Sequence, residues 1–381
     1  MKREYLLTPG PTPVPEEAYL AMSRPIIHHR TSQYRKIFEE VTTSLKDVFK
    51  TKNDILTFTS SGTGAMEACV ANLLSPGEKA IVVKGGKFGE RWEEICQAYN
   101  IGTTCIDVKW GEPVNPNLIG EELAEAGGGI GAVFTTLCET STGVVNDIES
   151  IGRIVKRYEA VFVVDAISGL GADNLETDNW AVDVVVAASQ KGLMTPPGLA
   201  FVSVSPKAWE RVERSKFPRY YFDFRKAREG LEKFDSPFTP AVTLMIGLGE
   251  TLKLINGEGI DNVLARTRRI ARGVREAVKA LGLELFAPAA PANAVTAVKV
   301  PEGIDGQALV KLMKDKYGVT IAGGQAQLKG KIIRVAHMGH ITDSDLLAGI
   351  SALEKALDEF GYKVRTGAGV EAAKEIFTSG N

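Results

Sequence analysis

Thr59-Ser60-Ser61-Gly62-Thr63-Gly64 follows directly on an apolar run and leads into helical sequence near Ala65. Small residues at a strand-to-helix turn present backbone N–H groups and hydroxyls at the positive end of a helix dipole, which suits a phosphoryl group. The same residues serve equally as a plain helix start capped by Ser61 or Thr63. As a dinucleotide fingerprint the segment fails, because Glu67 stands where the third glycine belongs. The next run also ends at Lys84-Gly85-Gly86, without an acidic residue for a ribose. Asp165 closes the apolar run 161–164, and Lys191 follows the run 182–187 through Ala188-Ser189-Gln190. Both are expected at the carboxyl edge of one sheet, where open α/β folds bind their ligands. Singly, Asp165 reads as a turn aspartate and Lys191 as an exposed lysine.

Together, a phosphate cradle, a carboxylate and a lysine along one edge are the groups that hold pyridoxal phosphate. Lys191 would form a Schiff base with the aldehyde, which needs a neutral amine and so a lowered pKa. Asp165 would pair with the protonated ring nitrogen and keep the ring an electron sink. Thr140, in Glu139-Thr140-Ser141-Thr142-Gly143, either donates a hydrogen bond to the ring oxygen or is a polar loop residue. Arg334, in the run 331–336, carries a guanidinium fork suited to a substrate carboxylate, unless it joins a surface ion pair. His337 and His340 are spaced to share a helical turn, but with only His28 and His29 besides and no cysteine nearby, no metal site is expected. His28, His29 and Arg30 suit an N-terminal segment folded over a cleft, or a plain structural role.

Positioning such groups takes a sheet. Short Val- and Ile-rich runs at 55–58, 80–83, 132–135, 161–164, 182–187 and 199–204 lack alternation, as strands buried on both faces do. Helical spacing at 62–74, 89–99 and 148–158 separates many of them, which points to a mostly parallel sheet wrapped by helices. After about 207 the texture turns to charged helical sequence, with long helices expected at 240–256 and 260–280. The arginines 266, 268, 269, 272 and 275 read as a solvated helix face. A strand at 295–300, a helix at 306–316, a strand at 332–336 and a helix at 343–360 make a smaller α+β unit. The tail 366–381 carries no readable pattern.

The 381 residues suit one large domain with a smaller companion. Forty-five Lys plus Arg against 47 Asp plus Glu leave a formal charge of −2, too balanced for nucleic acid or an anionic membrane as the main partner. The four cysteines include no CxxC pair, the start Met1-Lys2-Arg3-Glu4 runs into proline-rich sequence, and prolines break the long uncharged stretches. These features suggest reduced thiols, no signal peptide and no spanning segment, hence a cytoplasmic protein.

On these residues the chain resembles the class V aminotransferases of pyridoxal phosphate fold type I, in the alanine-glyoxylate, serine-glyoxylate and serine-pyruvate group. The likeness rests on Ser60-Ser61-Gly62-Thr63-Gly64 with Glu67, Val164-Asp165-Ala166-Ile167-Ser168, and Ser189-Gln190-Lys191-Gly192 followed by Pro196-Pro197-Gly198. It extends from Leu6-Leu7-Thr8-Pro9-Gly10-Pro11 to about Phe360. The resemblance implies a large domain with a mostly parallel seven-stranded sheet and a smaller C-terminal α+β domain. It also implies that Lys191 carries the cofactor and Asp165 meets the ring nitrogen, while Ser61, Gly62, Thr63 and Gln190 bind the phosphate. Phe88 takes the ring-stacking place often held by tryptophan, Thr140 and Ile167 contact the ring, and Arg334 with Gly10 binds the substrate. A homodimer with shared sites is implied, the phosphate also receiving Thr239 of the partner subunit. Where some members have a tyrosine three residues before that threonine, this chain has Ser236.

The expected layout is an N-terminal segment 1–17 over the site, a large domain 18–256, a small domain 257–365 and a tail 366–381. The expected reaction is a ping-pong transfer of an amino group from alanine or serine to glyoxylate or pyruvate. Aspartate-type transamination, a lyase or epimerase reaction on the same scaffold, and a non-catalytic cofactor-binding subunit are the alternatives. A cysteine desulfurase would need a cysteine within 323–330, which reads GGQAQLKG. A nicotinamide-dependent dehydrogenase would have no use for Lys191.

Overall fold

The computed structural model describes residues 4–379; Met1 to Arg3 and Gly380 and Asn381, parts of the expected N-terminal segment and tail, lie outside the described residues. Seven strands form the main sheet: β1 (Asp54–Thr59), β2 (Lys79–Lys84), β3 (Gly102–Asp107), β4 (Ile130–Thr136), β5 (Val161–Asp165), β6 (Val184–Ala188) and β7 (Leu199–Val204). Their order is β1-β7-β6-β5-β4-β2-β3. β7 alone runs antiparallel to its neighbours, and the other six share one direction. The carboxyl ends of β1, β2, β4, β5 and β6 therefore lie on one edge. This is the α/β fold expected, with a mostly parallel seven-stranded sheet.

β4, β5, β6 and β7 are buried at every residue, as continuous apolar runs require. Successive side chains serve opposite faces. Phe162 and Val164 join the core that holds Tyr34, Phe38 and Leu248, while Val161 and Val163 join the one that holds Met66, Trp92 and Phe134. β3 carries no continuous apolar run, being an edge strand with only Ile106 buried, which is why its sequence does not announce it.

A second, three-stranded antiparallel sheet has β8 (Val295–Lys299), β9 (Ala322–Gly323) and β10 (Ile332–Ala336) in the order β8-β10-β9. It packs with the helices Ile260–Ala280, Gly306–Tyr317 and Asp343–Glu359 around its own apolar cluster. The tail, unreadable in sequence, forms the helix Ala368–Thr378. Its start has no local cap; the buried Glu354 carboxylate instead accepts the N–H groups of Gly367, Gly369 and Val370. His337 and His340 do not share a helical turn, because β10 ends at Ala336 and the next helix starts only at Asp343.

The segment after Glu4 links the two sheets. Tyr5 and Leu6 pair in parallel with Val319 and Thr320, and Leu7 accepts the Ala336 N–H at 2.9 Å. Thr12 then donates its N–H to Gln190 O (3.1 Å) and its hydroxyl to Lys191 O (3.0 Å). Among the described residues, no helix is long and apolar enough to cross a membrane.

Candidate active site

Lys191 lies in the loop just beyond β6 and is only 9% exposed. Its amine donates to Pro9 O and to Ser168 Oγ (3.3 Å) and, among the described residues, forms no ion pair. Burial pushes its pKa down to about 8, with the Asp165 charge pulling the other way. An amine so placed is substantially neutral near pH 8, as nucleophilic and proton-transfer roles require. Gly10, with φ +120°, passes so close that a Cβ would collide with Cε and Nζ of Lys191, and only glycine fits there.

Asp165 ends β5 beside Thr136 of β4 and Val186 of β6. It is 2% exposed, and its Oδ1 accepts the Ile167 N–H at 2.8 Å. Burial raises its pKa to about 7, against the smaller opposing pull of the Arg91 and Lys191 charges, and among the described residues it forms no ion pair. A cationic ring nitrogen is the partner such a carboxyl lacks.

The helix Gly62–Leu73 starts at the end of the β1 turn, within the helical spacing read at 62–74. Ser61 is its N-cap but makes no side-chain capping bond; Gly64 donates its N–H to Ser61 O at 3.0 Å, and among the described residues the N–H groups of Gly62 and Thr63 have no such partner. Gln190 Oε1 is buried with no partner, and an amide turned about its axis would offer NH2 there. A Cβ on Gly62 would strike Ile167, so the turn lies directly against the residue that follows Asp165. These groups suit a phosphoryl anion, and with Asp165 and Lys191 on the same edge they fit pyridoxal phosphate.

Phe88 lies in the first turn of the helix Lys87–Ala98, half-buried, after β2. Thr140 is buried; its hydroxyl has only a long bond, 3.5 Å, to Cys138 O. Its own carbonyl accepts from Arg334 at 2.9 Å. Arg334, on β10, is 5% exposed and spends Nε on Gly323 O (2.9 Å). No carboxylate pairs with it among the described residues. Burial lowers its pKa to about 10, which leaves it charged at neutral pH. Thr239 is exposed on the loop beside β1, away from Arg334 and β10. Arg30 is tied to Asp235 at 2.7 Å.

Four groups at this edge have no signature in the sequence. Pro9 O and Ser168 hold the Lys191 amine. Glu139, 1% exposed, accepts the N–H groups of Phe88 (3.1 Å) and Gly89 (2.9 Å) and the Ser141 hydroxyl (2.5 Å), so it caps the Phe88 helix. Arg91 donates to Thr63 Oγ1 at 3.3 Å. Apart from the Glu139–Ser141 bond, each contact spans more than twenty residues, and no local pattern marks it.

The family model described as Aminotransferase class-V matches residues 5–341. The L-aspartate–glyoxylate aminotransferase of Paracoccus denitrificans is 39% identical, covering 98% of this chain and 96% of its own. The soluble hydrogenase 42 kDa subunit of Anabaena cylindrica is 45% identical over 98% of both chains. Among solved structures, the ureidoglycine-glyoxylate aminotransferase from Bacillus subtilis superposes with a TM-score of 0.94 at 25% identity, covering 99% of this chain and 98% of its own.

Proposed function

The chain belongs to the class-V aminotransferases, enzymes dependent on pyridoxal phosphate, and from that premise we propose that it carries the amino group of alanine or serine to glyoxylate or pyruvate in a ping-pong sequence. The observation that carries this reading is Arg334, a buried guanidinium with no carboxylate partner among the described residues. Donor and acceptor are both carboxylates, so one clamp serves both half-reactions. Arg30, which could have met a second carboxylate, is engaged by Asp235, which favours small neutral side chains.

The cofactor, when bound, supplies an aldehyde for amines and a ring that accepts electron density from the substrate α-carbon. Ser61, Gly62, Thr63 and Gln190 would hold its phosphate, Phe88 and Ile167 would contact its ring, Thr140 would bond its ring oxygen, and Asp165 would pair with its ring nitrogen. With the cofactor bound, the Lys191 amine would be the base that takes the substrate α-proton and the acid that delivers it to the cofactor carbon, held in place by Ser168 and the Pro9 carbonyl. Gly10 leaves room beside that amine for the substrate.

The working unit in this reading is a cytoplasmic homodimer, with Thr239 of the partner subunit completing the phosphate site. Each subunit has a large domain 18–256, a small domain 257–365 and an N-terminal segment over the site. Four free cysteines are consistent with a reducing compartment, and separate apolar clusters with two domains. The Anabaena relative is named for a hydrogenase; the groups gathered here are an amine, a carboxylate and a guanidinium, and the reading follows them.

The purified protein should be yellow with pyridoxal phosphate, and L-alanine or L-serine should bleach that colour well before L-aspartate does. A protein that stays colourless with added cofactor would sink the reading. Bleaching by L-aspartate alone would sink the choice of donor.

A further inference from the structure

The proposed phosphate ligands Ser61, Gly62, Thr63 and Gln190 are all neutral, whereas a phosphate monoester carries a charge near −1.5 to −2 at pH 7. Helix dipoles and hydroxyls offset part of that charge, and a cation at the same place would offset more.

We propose that Arg91 supplies that cation as a direct ligand of the cofactor's phosphoryl group, an inference that rests on the aminotransferase reading above. Arg91 lies on the same helix as Phe88, one turn further on, and is half-buried. One of its nitrogens donates to Thr63 Oγ1 at 3.3 Å, inside the cradle. Its guanidinium carbon stands 5.0 Å from the centre of the Phe88 ring. Among the described residues it has no ion pair and no other hydrogen-bond acceptor, so most of its five donors are unspent.

Other arginines here do have carboxylate partners: Arg211 pairs with Glu78, Arg225 with Asp223 and Arg269 with Asp343. Glu139, which caps the start of the Arg91 helix, is already engaged by Phe88, Gly89 and Ser141, and Glu90 and Glu94 on the helix itself pair with Lys87. The Arg91 charge also acts on Asp165 and Lys191, which places it within electrostatic reach of both. A half-buried guanidinium fixed on an aromatic face, touching a phosphate-site hydroxyl and lacking an anion, suits a forked contact with a phosphoryl group.

The test compares wild type, R91Q and R91K as full chains for equilibrium affinity toward pyridoxal phosphate and toward pyridoxal, which lacks the phosphate. R91Q should bind pyridoxal phosphate about tenfold to a hundredfold more weakly, the range for one charge-assisted contact. R91K should lose less, and pyridoxal affinity should stay within about twofold in all three. Where R91Q does not fold, R91K carries the test through its smaller loss for pyridoxal phosphate and none for pyridoxal. Unchanged pyridoxal phosphate affinity in the folded variants overturns the inference. Equal losses for both compounds also overturn it, by showing that Arg91 acts through the Phe88 ring. Intact cofactor affinity with selective loss of the L-aspartate reaction places the guanidinium on the substrate and overturns it as well. If wild type takes up no pyridoxal phosphate, the aminotransferase reading falls and this inference with it, whereas the other outcomes leave that reading standing.

Discussion

Lys191 and Arg334 are both buried cations that form no ion pair among the described residues, one at the edge of the large sheet and one within the small sheet. Burial drives both pKa values down, to about 8 for the lysine and about 10 for the arginine. The same physical pressure gives opposite results because the two groups start from 10.5 and 12.5. Near pH 8 the lysine is substantially neutral and offers a lone pair. The arginine keeps its charge, and its two carbonyl partners fix the fork without neutralising it. One region is thus tuned for proton transfer and the other for holding an anion.

Exchanging the two side-chain types breaks this division. Lys191→Arg retains positive charge and bulk but cannot become neutral, so kcat for transamination should fall by at least about 10⁴-fold. Steady-state assays with L-alanine and glyoxylate would check this, and retention of a tenth of the wild-type rate would refute the assignment of Lys191. The reverse exchange is milder. Arg334→Lys should raise KM for the amino acid about 10- to 100-fold with a smaller effect on kcat, because an ammonium offers no planar fork. Burial should also depress the introduced lysine's pKa as it depresses that of Lys191. Above about pH 8 the variant's KM should therefore climb further while the wild-type value stays level. A KM equal to wild type, or one indifferent to pH, counts against Arg334 as the clamp.

What was legible in sequence differs between the two regions for a physical reason. Lys191 and Asp165 each follow an apolar run, so strand periodicity alone fixes the edge on which they emerge. For Arg334 the residue type suggested a clamp, but the absence of an ion pair is a property of the packed chain. The roles of Pro9, Ser168, Glu139 and Arg91 are not legible in sequence because each acts on a residue far away in the chain, as Pro9 does on Lys191, 182 positions on. The edge strand β3 and the tail helix escaped for related reasons. β3 buries little of itself, and the tail helix takes its cap from Glu354.

Asp165 is the counterpart of the two cations, a buried carboxyl that forms no ion pair among the described residues, and its stability effect is a smaller but sharper probe. Its pKa is about 7 in the folded chain against 3.8 as the ordinary value. Between those values the folded state binds the extra proton, so its contribution to stability is present below about pH 4 and is lost as pH rises through 7. Asp165→Asn is neutral throughout and escapes that loss. In cofactor-free protein the variant should match wild type near pH 4 and melt higher at pH 8, by a few degrees. Pyridoxal phosphate should reverse the sign at pH 8, since a ring-nitrogen cation favours the aspartate charge and the asparagine has none to offer. The check is the difference in Tm between variant and wild type at pH 8, with and without cofactor. If that difference keeps one sign in both conditions, Asp165 is not the partner of the ring nitrogen.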